Sequence, residues 1–411
     1  MVERSSGLSG NRDFGKLWAA KAVSDFGSMV SGTALSFTAI LFLKASPTQL
    51  GLLMAANLLP RFLVGPAAGL LVDRWPRRKL MIGADLGRAL LLATVPAAAL
   101  FGRLGMWHLY LVTAATALLS LLFDVADRSY LPALVPREDL VTANSRLTAT
   151  SSVAEFGAFS LGGWIVQWFT APIAILIDAV TFLFSALSLG MIRKAEPPPE
   201  HTAHPDGIRG DLRTGWTALC GDASLVSLAW VTLLVSLSHG VAGAVIVAFM
   251  VRDLGFHPGV LGMIWSIGGI ASLVGALFAD RLLRRMGFGP ALAGALLVAA
   301  LGTLFVSAAH GATWIAAGLL AAAQLTDAAH TTFNIHETTL RQAKIPTPIQ
   351  GRVNGLFETI GMGAMLAGAL LGGLLGERLG LRAAVALCAC GPLAAAALTR
   401  LSPLWRARLP L

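Results

Sequence analysis

The sequence predicts an all-α membrane protein, with twelve transmembrane helices in two six-helix halves related by a pseudo-twofold repeat. Three observations predict it. Charged residues make up only 13% of the 411 residues and hydrophobic ones 55%, with a mean hydropathy of +0.71. A fully water-facing exterior cannot be built from that composition. Apolar runs of about 20 residues, the length that crosses a hydrocarbon core of ~30 Å, follow one another with short polar joints. Finally, landmarks of the first half recur, in order, in the second.

The first span, 17–43, follows a polar stretch. It is too long for a signal-peptide core and has no cleavage site, so it reads as retained. It carries Lys21 and Asp25, four apart on one face, where they can neutralise each other. Span 2, 50–72, carries Arg61 just after Pro60 with no acid at helical spacing, so its counter-ion must come from another helix, with Asp25 the candidate, or from substrate. Span 3, 79–101, sets Asp85 three residues from Arg88. Span 4, 106–128, opens at Trp107 and ends near Asp124 and Asp127. Span 5, 143–168, has Glu155 at its middle with no basic residue within a turn; an isolated carboxyl in a dry site is raised in pKa, as a proton carrier requires. Span 6, 171–193, places Asp178 toward the outer half, where hydration is expected.

A polar, proline-rich connection, AEPPPEHTAHPDG, then leads into DLRTGWTALC, whose apolar spacing predicts a short surface helix. The domains are therefore a bundle of residues 1–193, a linker of 194–222 and a bundle of 223–411. Spans 7 to 12 are 224–250, 260–280, 288–310, 312–335, 352–376 and 380–402. Span 10 carries a polar stripe of Gln324, Asp327, His330, Thr331 and Asn334 at spacings of three and four. The pair Asp327 and His330 can exchange a proton near neutral pH, while two such ligands are too few for zinc. Gly65/Gly69, Gly83/Gly87 and Gly368/Gly372/Gly376 are small residues four apart that permit close helix approach. Trp230, Trp265 and Phe357 are aromatics placed either to line an apolar cavity or to pack between helices and lipid. Cys220, Cys388 and Cys390 form no disulfide framework and read as small buried hydrophobes.

Charge fixes the orientation. With the N-terminus inside, 23 of the 31 lysines and arginines fall in inner segments. Five fall in outer loops (Lys44, Arg103, Arg252, Arg378 and Arg382) and three, Lys21, Arg61 and Arg88, inside spans. Both termini are then cytoplasmic by the positive-inside rule. The net charge of +9 is scattered over loops, which gives no basic face for nucleic acid. No G-x-x-x-x-G-K-[S/T] run predicts ATP use, and neither G-x-S-x-G nor H-E-x-x-H predicts hydrolysis. The chain reads as neither an enzyme nor a cofactor or metal protein.

The repeat is carried by Asp73 and Asp280, and by Trp107 and Trp314, each pair 207 apart. Beyond these the offset is 210, for Pro136 and Pro346, Asn144 and Asn354, and Leu161-Gly162-Gly163 and Leu371-Gly372-Gly373. A six-span unit used twice is a construction of secondary transporters. The stretch GLLVDRWPRRK (69–79) resembles the loop signature of the major facilitator superfamily, with Pro76 where glycine is usual, and DRLLRR (280–285) echoes it. LPALVPREDLVTAN (131–144) and PTPIQGRVNGL (346–356) resemble a bacterial branch that includes macrolide and siderophore exporters.

The resemblance implies a monomeric, multi-pass protein of the bacterial inner membrane. It would export a small amphipathic molecule by alternating access, in antiport with protons. An importer or lipid translocator of the same fold, or a receptor that binds without transport, are the alternatives. It also implies an inner latch of Gly69, Asp73, Arg74, Arg77, Arg78, Asp280, Arg281 and Arg284, with Asp124, Asp127, Asn334 and Glu337 as partners. Span 5 reads AFSLGG where the superfamily's drug antiporters carry G-P-x-x-G-G, and span 4 lacks their arginine. Coupling is therefore expected at Asp25, Glu155, Asp327 and His330. Arg61, Gln324, Asn334, Phe357 and Trp265 are the candidates for the substrate cavity.

Overall fold

A computed structural model describes residues 11–72, 74–194, 196 and 207–407. Helix is the only regular structure among them. In chain order the helices are α1 (Arg12–Phe37), α2 (Pro47–Val72), α3 (Arg77–Leu100), α4 (Met106–Leu134), α5 (Leu140–Phe169) and α6 (Ala171–Gly190). They continue as α7 (Gly207–Cys220), α8 (Ala223–Ala248), α9 (Pro258–Met286), α10 (Phe288–Ala308), α11 (Trp314–Leu325) and α12 (Asp327–Lys344). The last three are α13 (Gln350–Leu379), α14 (Leu381–Leu387) and α15 (Cys390–Leu401).

Among the described residues, ten helical segments are long and apolar enough to cross a bilayer. The fifth and tenth expected spans are not among them. The first half of α5 is rich in Thr, Ser and Asn, from Thr142 to Ser152. The tenth is divided at Thr326 into α11 and α12, and α12 is polar. The twelfth is also interrupted, by a turn at Cys388 and Ala389. Several helices outrun their apolar cores: α1 starts at Arg12, α4 continues to Leu134 and α12 to Lys344. Polar residues can extend a helix past the bilayer because water satisfies its free backbone ends. The short helix expected before span 7 is α7.

The described residues fall into two compact units, one from Met1–Lys44 and Leu59–Ala203, the other from Ala45–Leu58 and His204–Leu411. In the first unit α1 packs on α5 and α6, and α3 on α4 and α6. One end of this unit is filled by Phe14, Leu17, Met81, Phe123, Tyr130 and Leu134. Asn11 caps α1 by accepting from the N–H groups of Asp13 and Phe14, and its amide donates to the Leu134 carbonyl at 3.2 Å. Asp13 accepts from Lys16 Nζ at 2.7 Å and from the Lys194 N–H at 2.9 Å. The ends of α1, α4 and α6 are thereby laced together.

In the second unit α8 and α13 meet backbone to backbone. A Cβ on Gly240 would fall on the Met365 carbonyl oxygen, one on Gly368 on the Leu237 carbonyl, and one on Gly372 2.6 Å from the Val241 carbonyl. Residues 47–58 of α2 share this seam, with Gly51 against Ala369 and Gly373 against Pro47. The stripe Gly368/Gly372/Gly376 is thus a packing surface. Gly65, Gly69 and Gly83 are not: a Cβ on any of them meets no heavy atom within 4 Å. Periodicity alone does not reveal which face of a helix meets protein. Asp222 caps α8 by accepting from the N–H groups of Ser224 and Leu225 and pairs with Lys344 Nζ at 2.7 Å, tying the end of α12 to the start of α8.

Two expectations are corrected. Asp178 is not hydrated but 1% exposed, because α1 lies directly over it at Gly27. Only Cys388 is buried; Cys220 and Cys390 are exposed, since the break after Leu387 turns Cys390 outward.

Two outcomes follow for thermal unfolding in detergent. Gly240→Ala drives a methyl into a backbone oxygen that cannot rotate away, so it should cost about 1–3 kcal/mol, whereas Gly83→Ala, in open space, should leave the midpoint unchanged. Burial opposes the Asp222 carboxylate, but Lys344 and two N–H groups outweigh it and hold its carboxyl below the ordinary 3.8. A lowered folded-state pKa gives stability that is present above the ordinary value and lost as pH falls through the lowered one. Asp222→Asn should therefore reduce the midpoint at neutral pH and flatten its acid-side decline below about pH 4.

Candidate functional site

Each unit holds a group of polar and ionisable side chains that meet between its helices. In the first, α1 places Lys21 and Asp25 one turn apart and α4 places Asp124 and Asp127 on a common face. Lys21 Nζ lies 3.1 Å from Asp127 Oδ2 and 3.9 Å from Asp25 Oδ1. The Ser151 hydroxyl on α5 donates to Asp25 at 2.5 Å. Just along the same helices, Trp18 donates to Thr150 Oγ1 at 2.8 Å. Arg61 on α2 meets Asp124 at 3.3 Å, both side chains more than a third exposed.

Arg61 therefore pairs with Asp124, not with Asp25. Asp25 is already engaged by Ser151 and Lys21, whereas Asp124 is left open by the pairing of Lys21 with Asp127. Among the described residues, three carboxyl groups share two cationic side chains in this network.

The same pairings alter the expected latch. Asp124 and Asp127 serve cations within the spans, not the loop arginines. Arg78 instead donates to the carbonyls of Leu189 and Gly190 at the end of α6, where cations favour the helix dipole. The N–H groups of Arg77 and Arg78, at the start of α3, donate to Glu196 at 2.8 and 3.2 Å. Arg74 is exposed. Asp73 and the Glu155 side chain lie outside the described residues. In the second copy of the motif, at the end of α9, Asp280 and Arg284 pair at 2.9 Å as an exposed i,i+4 couple, and Arg281 is exposed. Glu337 accepts from Thr232 Oγ1 on α8 at 2.7 Å.

In the second unit the polar stripe sits at the break between α11 and α12. The Thr326 N–H bonds back only three residues, to Ala323, at 3.0 Å, and its hydroxyl donates to the same carbonyl at 2.6 Å. This tightens the last turn and restarts the helix at Asp327. Gln324 and Asp327 lie against the α9 backbone at Gly268, where a Cβ would be 3.1 Å from Gln324 Nε2 and would overlap Asp327 Oδ2. The His330 ring meets the His239 ring of α8 edge to face, with centroids 4.4 Å apart. Gln324, Asp327 and His330 are half-buried, while Asn334 is exposed.

Phe357 is buried beneath the Arg341 guanidinium at 4.9 Å, as a packing residue. Trp265 is half-buried and Trp230 exposed. Sequence reasoning missed His239. Its signal was present, an ionisable residue in mid-span within SLSHGVAG, but its partner lies 91 residues away. Both groups bring ionisable side chains of different helices together; among the described residues no three His, Cys, Asp or Glu gather as a metal site.

The profile of the Major Facilitator Superfamily matches residues 17–361. The uncharacterized MFS-type transporter YfiS of Bacillus subtilis is 27% identical over 398 residues, 91% of this chain and 89% of that protein. Macrolide efflux protein A of Streptococcus pyogenes is 26% identical over 183 residues, 44% of each chain. Among solved structures, the nucleoside transporter NupG superimposes with a TM-score of 0.80 at 14% identity, covering 96% of this chain and all of that one. A bacterial homologue of the iron transporter ferroportin, in its inward-facing state, gives a TM-score of 0.76 at 18% identity, covering 97% of this chain and 99% of that one. At these identities the structural likeness establishes the fold alone.

Two substitutions separate the ion pairs. Lys21→Met strands Asp127, which is only 9% exposed, and should cost about 3 kcal/mol in the stability of the purified protein. Arg61→Met leaves Asp124 open to water and should cost ~0.2–1 kcal/mol. Equal losses, read from unfolding midpoints, would contradict the assignment of Lys21 to Asp127.

Proposed function

Because the chain belongs to the major facilitator superfamily of membrane transporters, we propose that it exports a small amphipathic molecule from the bacterial cytoplasm by alternating access, in antiport with protons. The observation that carries this reading is the Lys21–Asp25–Asp127 network, with Arg61 and Asp124 beside it. Charges inside membrane helices are expensive and mark ion and substrate pathways. The Gln324–Asp327–His330 group, joined by His239, gives the second unit a matching ionisable set. Asp25, Asp327, His330 and Glu155 are the coupling candidates, and Arg61 and Gln324 the contacts to substrate. Export is favoured by the likeness to a macrolide efflux protein, whose name states that direction for that protein.

The reading takes the chain as a monomer of twelve spans in two repeated halves, with both termini cytoplasmic. Backbone detail supports the repeat. A π-helical turn ends α1 at Thr38–Phe42 and another ends α8 at Phe249–Asp253. Left-handed residues follow at Lys44 and Gly255, and the pair Thr170 and Gly380 separates the next matching helices. Side-chain caps open α1 at Asn11 and α8 at Asp222.

Each protonation can bias a conformational equilibrium only through its differential affinity for the two states. Proteoliposomes with an imposed pH gradient, screened over macrolides, siderophores and dyes, should accumulate at least one of these only while the gradient lasts. Asp25→Asn or Asp327→Asn should lower gradient-driven accumulation about tenfold, equivalent to ~1.4 kcal/mol of coupling, while substrate counterflow persists. Accumulation that ignores the gradient would remove proton coupling from the proposal. Substrate that binds without crossing would make the protein a receptor.

A further inference from the structure

The outward side of α6 carries one continuous apolar stripe. Ile173, Leu176, Val180, Leu183, Leu187 and Met191 recur at spacings of three and four, and each is between 43% and 68% exposed. On a membrane-spanning helix, an apolar side turned away from the protein meets acyl chains. The stripe ends at Met191, which borders a cavity of about 780 Å³ between the end of α6 and the start of α1. The polar side chains lining that cavity are Asn11, Arg12, Asp13, Lys16 and Arg193. Its volume lies within the ~300–1,000 Å³ of small-molecule sites.

Three cations and one carboxylate line the cavity, and they are not equally engaged. The Asp13 carboxylate accepts from Lys16 Nζ at 2.7 Å and from the N–H groups of Arg193 and Lys194 at 3.2 and 2.9 Å. Lys16 Nζ also donates to the Met191 carbonyl at 2.6 Å. Nearby, Arg78 answers the Leu189 and Gly190 carbonyls, and Lys194 Nζ the Leu134 carbonyl at 3.2 Å. These cations are spent on helix ends. The Arg12 and Arg193 guanidinium groups are different: both residues are exposed, and neither side chain pairs with another among the described residues. A guanidinium presents parallel donors that match the oxygens of a phosphate. Basic pockets beside membrane helices hold anionic lipid headgroups in this way.

We propose that this cavity is the headgroup site of an anionic phospholipid, its phosphate held by Arg12 and Arg193 and an acyl chain laid along the apolar stripe of α6. Two separate features meet here, the unengaged guanidinium groups and the stripe that runs into the cavity at Met191. A soluble phosphate would use the first and leave the second idle; a lipid uses both. The bound lipid bridges the start of α1 and the end of α6, which already share Lys16. The site lies outside the residues assigned to coupling or substrate and stands whatever the cargo or direction of transport.

The test is thermal unfolding of the purified, delipidated full chain in detergent, titrated with phosphatidylglycerol, phosphatidylcholine or inorganic phosphate. Phosphatidylglycerol should raise the wild-type midpoint saturably, while the other two leave it unchanged. In the double variant Arg12→Gln, Arg193→Gln the half-saturating phosphatidylglycerol concentration should rise about tenfold. In Arg146→Gln, which alters an exposed arginine of the same unit outside the cavity, it should match the wild type. A midpoint indifferent to phosphatidylglycerol, or equally responsive to phosphatidylcholine, overturns the proposal. So does a shift reproduced by inorganic phosphate, which makes the cavity a soluble-anion site, or a response that the double variant keeps or that Arg146→Gln loses equally. Should the double variant not fold, native mass spectrometry of the single variants takes its place. The wild type should retain one phosphatidylglycerol that Arg12→Gln and Arg193→Gln each release, and unaltered retention overturns the site.

Discussion

A charge placed among lipid-facing helices must find its partner inside the protein, and much of this structure follows from that constraint. Hydrocarbon offers no hydrogen bonds, so each ionisable residue within a span is either compensated or energetically conspicuous. Lys21 meets Asp127 and Asp25, Arg61 meets Asp124, and Arg88 meets Asp85 between two aromatic rings. Each contact bridges helices or fixes one face of a helix toward the interior, so the pattern of pairing also sets which sides of α1, α3 and α4 are turned inward.

Close approach of backbones is the second organising element. Where α8 meets α13, glycine at 240, 368 and 372 lets carbonyl groups of one helix rest where side chains would otherwise stand. The same device lets α9 accept Asp327 at Gly268 and α1 accept Asp178 at Gly27. Without a hydrophobic driving force between helices in lipid, such contacts supply much of the packing attraction. In this chain they also decide where a carboxyl group can be accommodated. Packing and site chemistry are therefore not separable at Gly268.

Ten of the twelve expected spans and their order were legible because hydropathy acts locally. A run of apolar residues needs no knowledge of its neighbours to be read as a span. The shared faces of Lys21 with Asp25 and of Asp327 with His330 follow from helical spacing alone. The span ends were less legible, since polar residues continue α4 and α12 beyond the apolar runs. The breaks at Thr326 and Cys388 were not, because neither residue interrupts the local pattern that marks a span.

What the sequence by itself determined is the class of solvent, the helical content and the list of residues whose charge has to be answered. Tertiary structure alone decided who answers: Asp124 for Arg61, Asp127 for Lys21, His239 beside His330. It also decided that Gly368 packs while Gly65 does not, and that Asp178 is sealed. The reason is physical. Periodicity fixes the face of a helix on which a residue lies, but the rotation of that helix against its neighbours is set by all of its contacts together, most of them far apart in the chain.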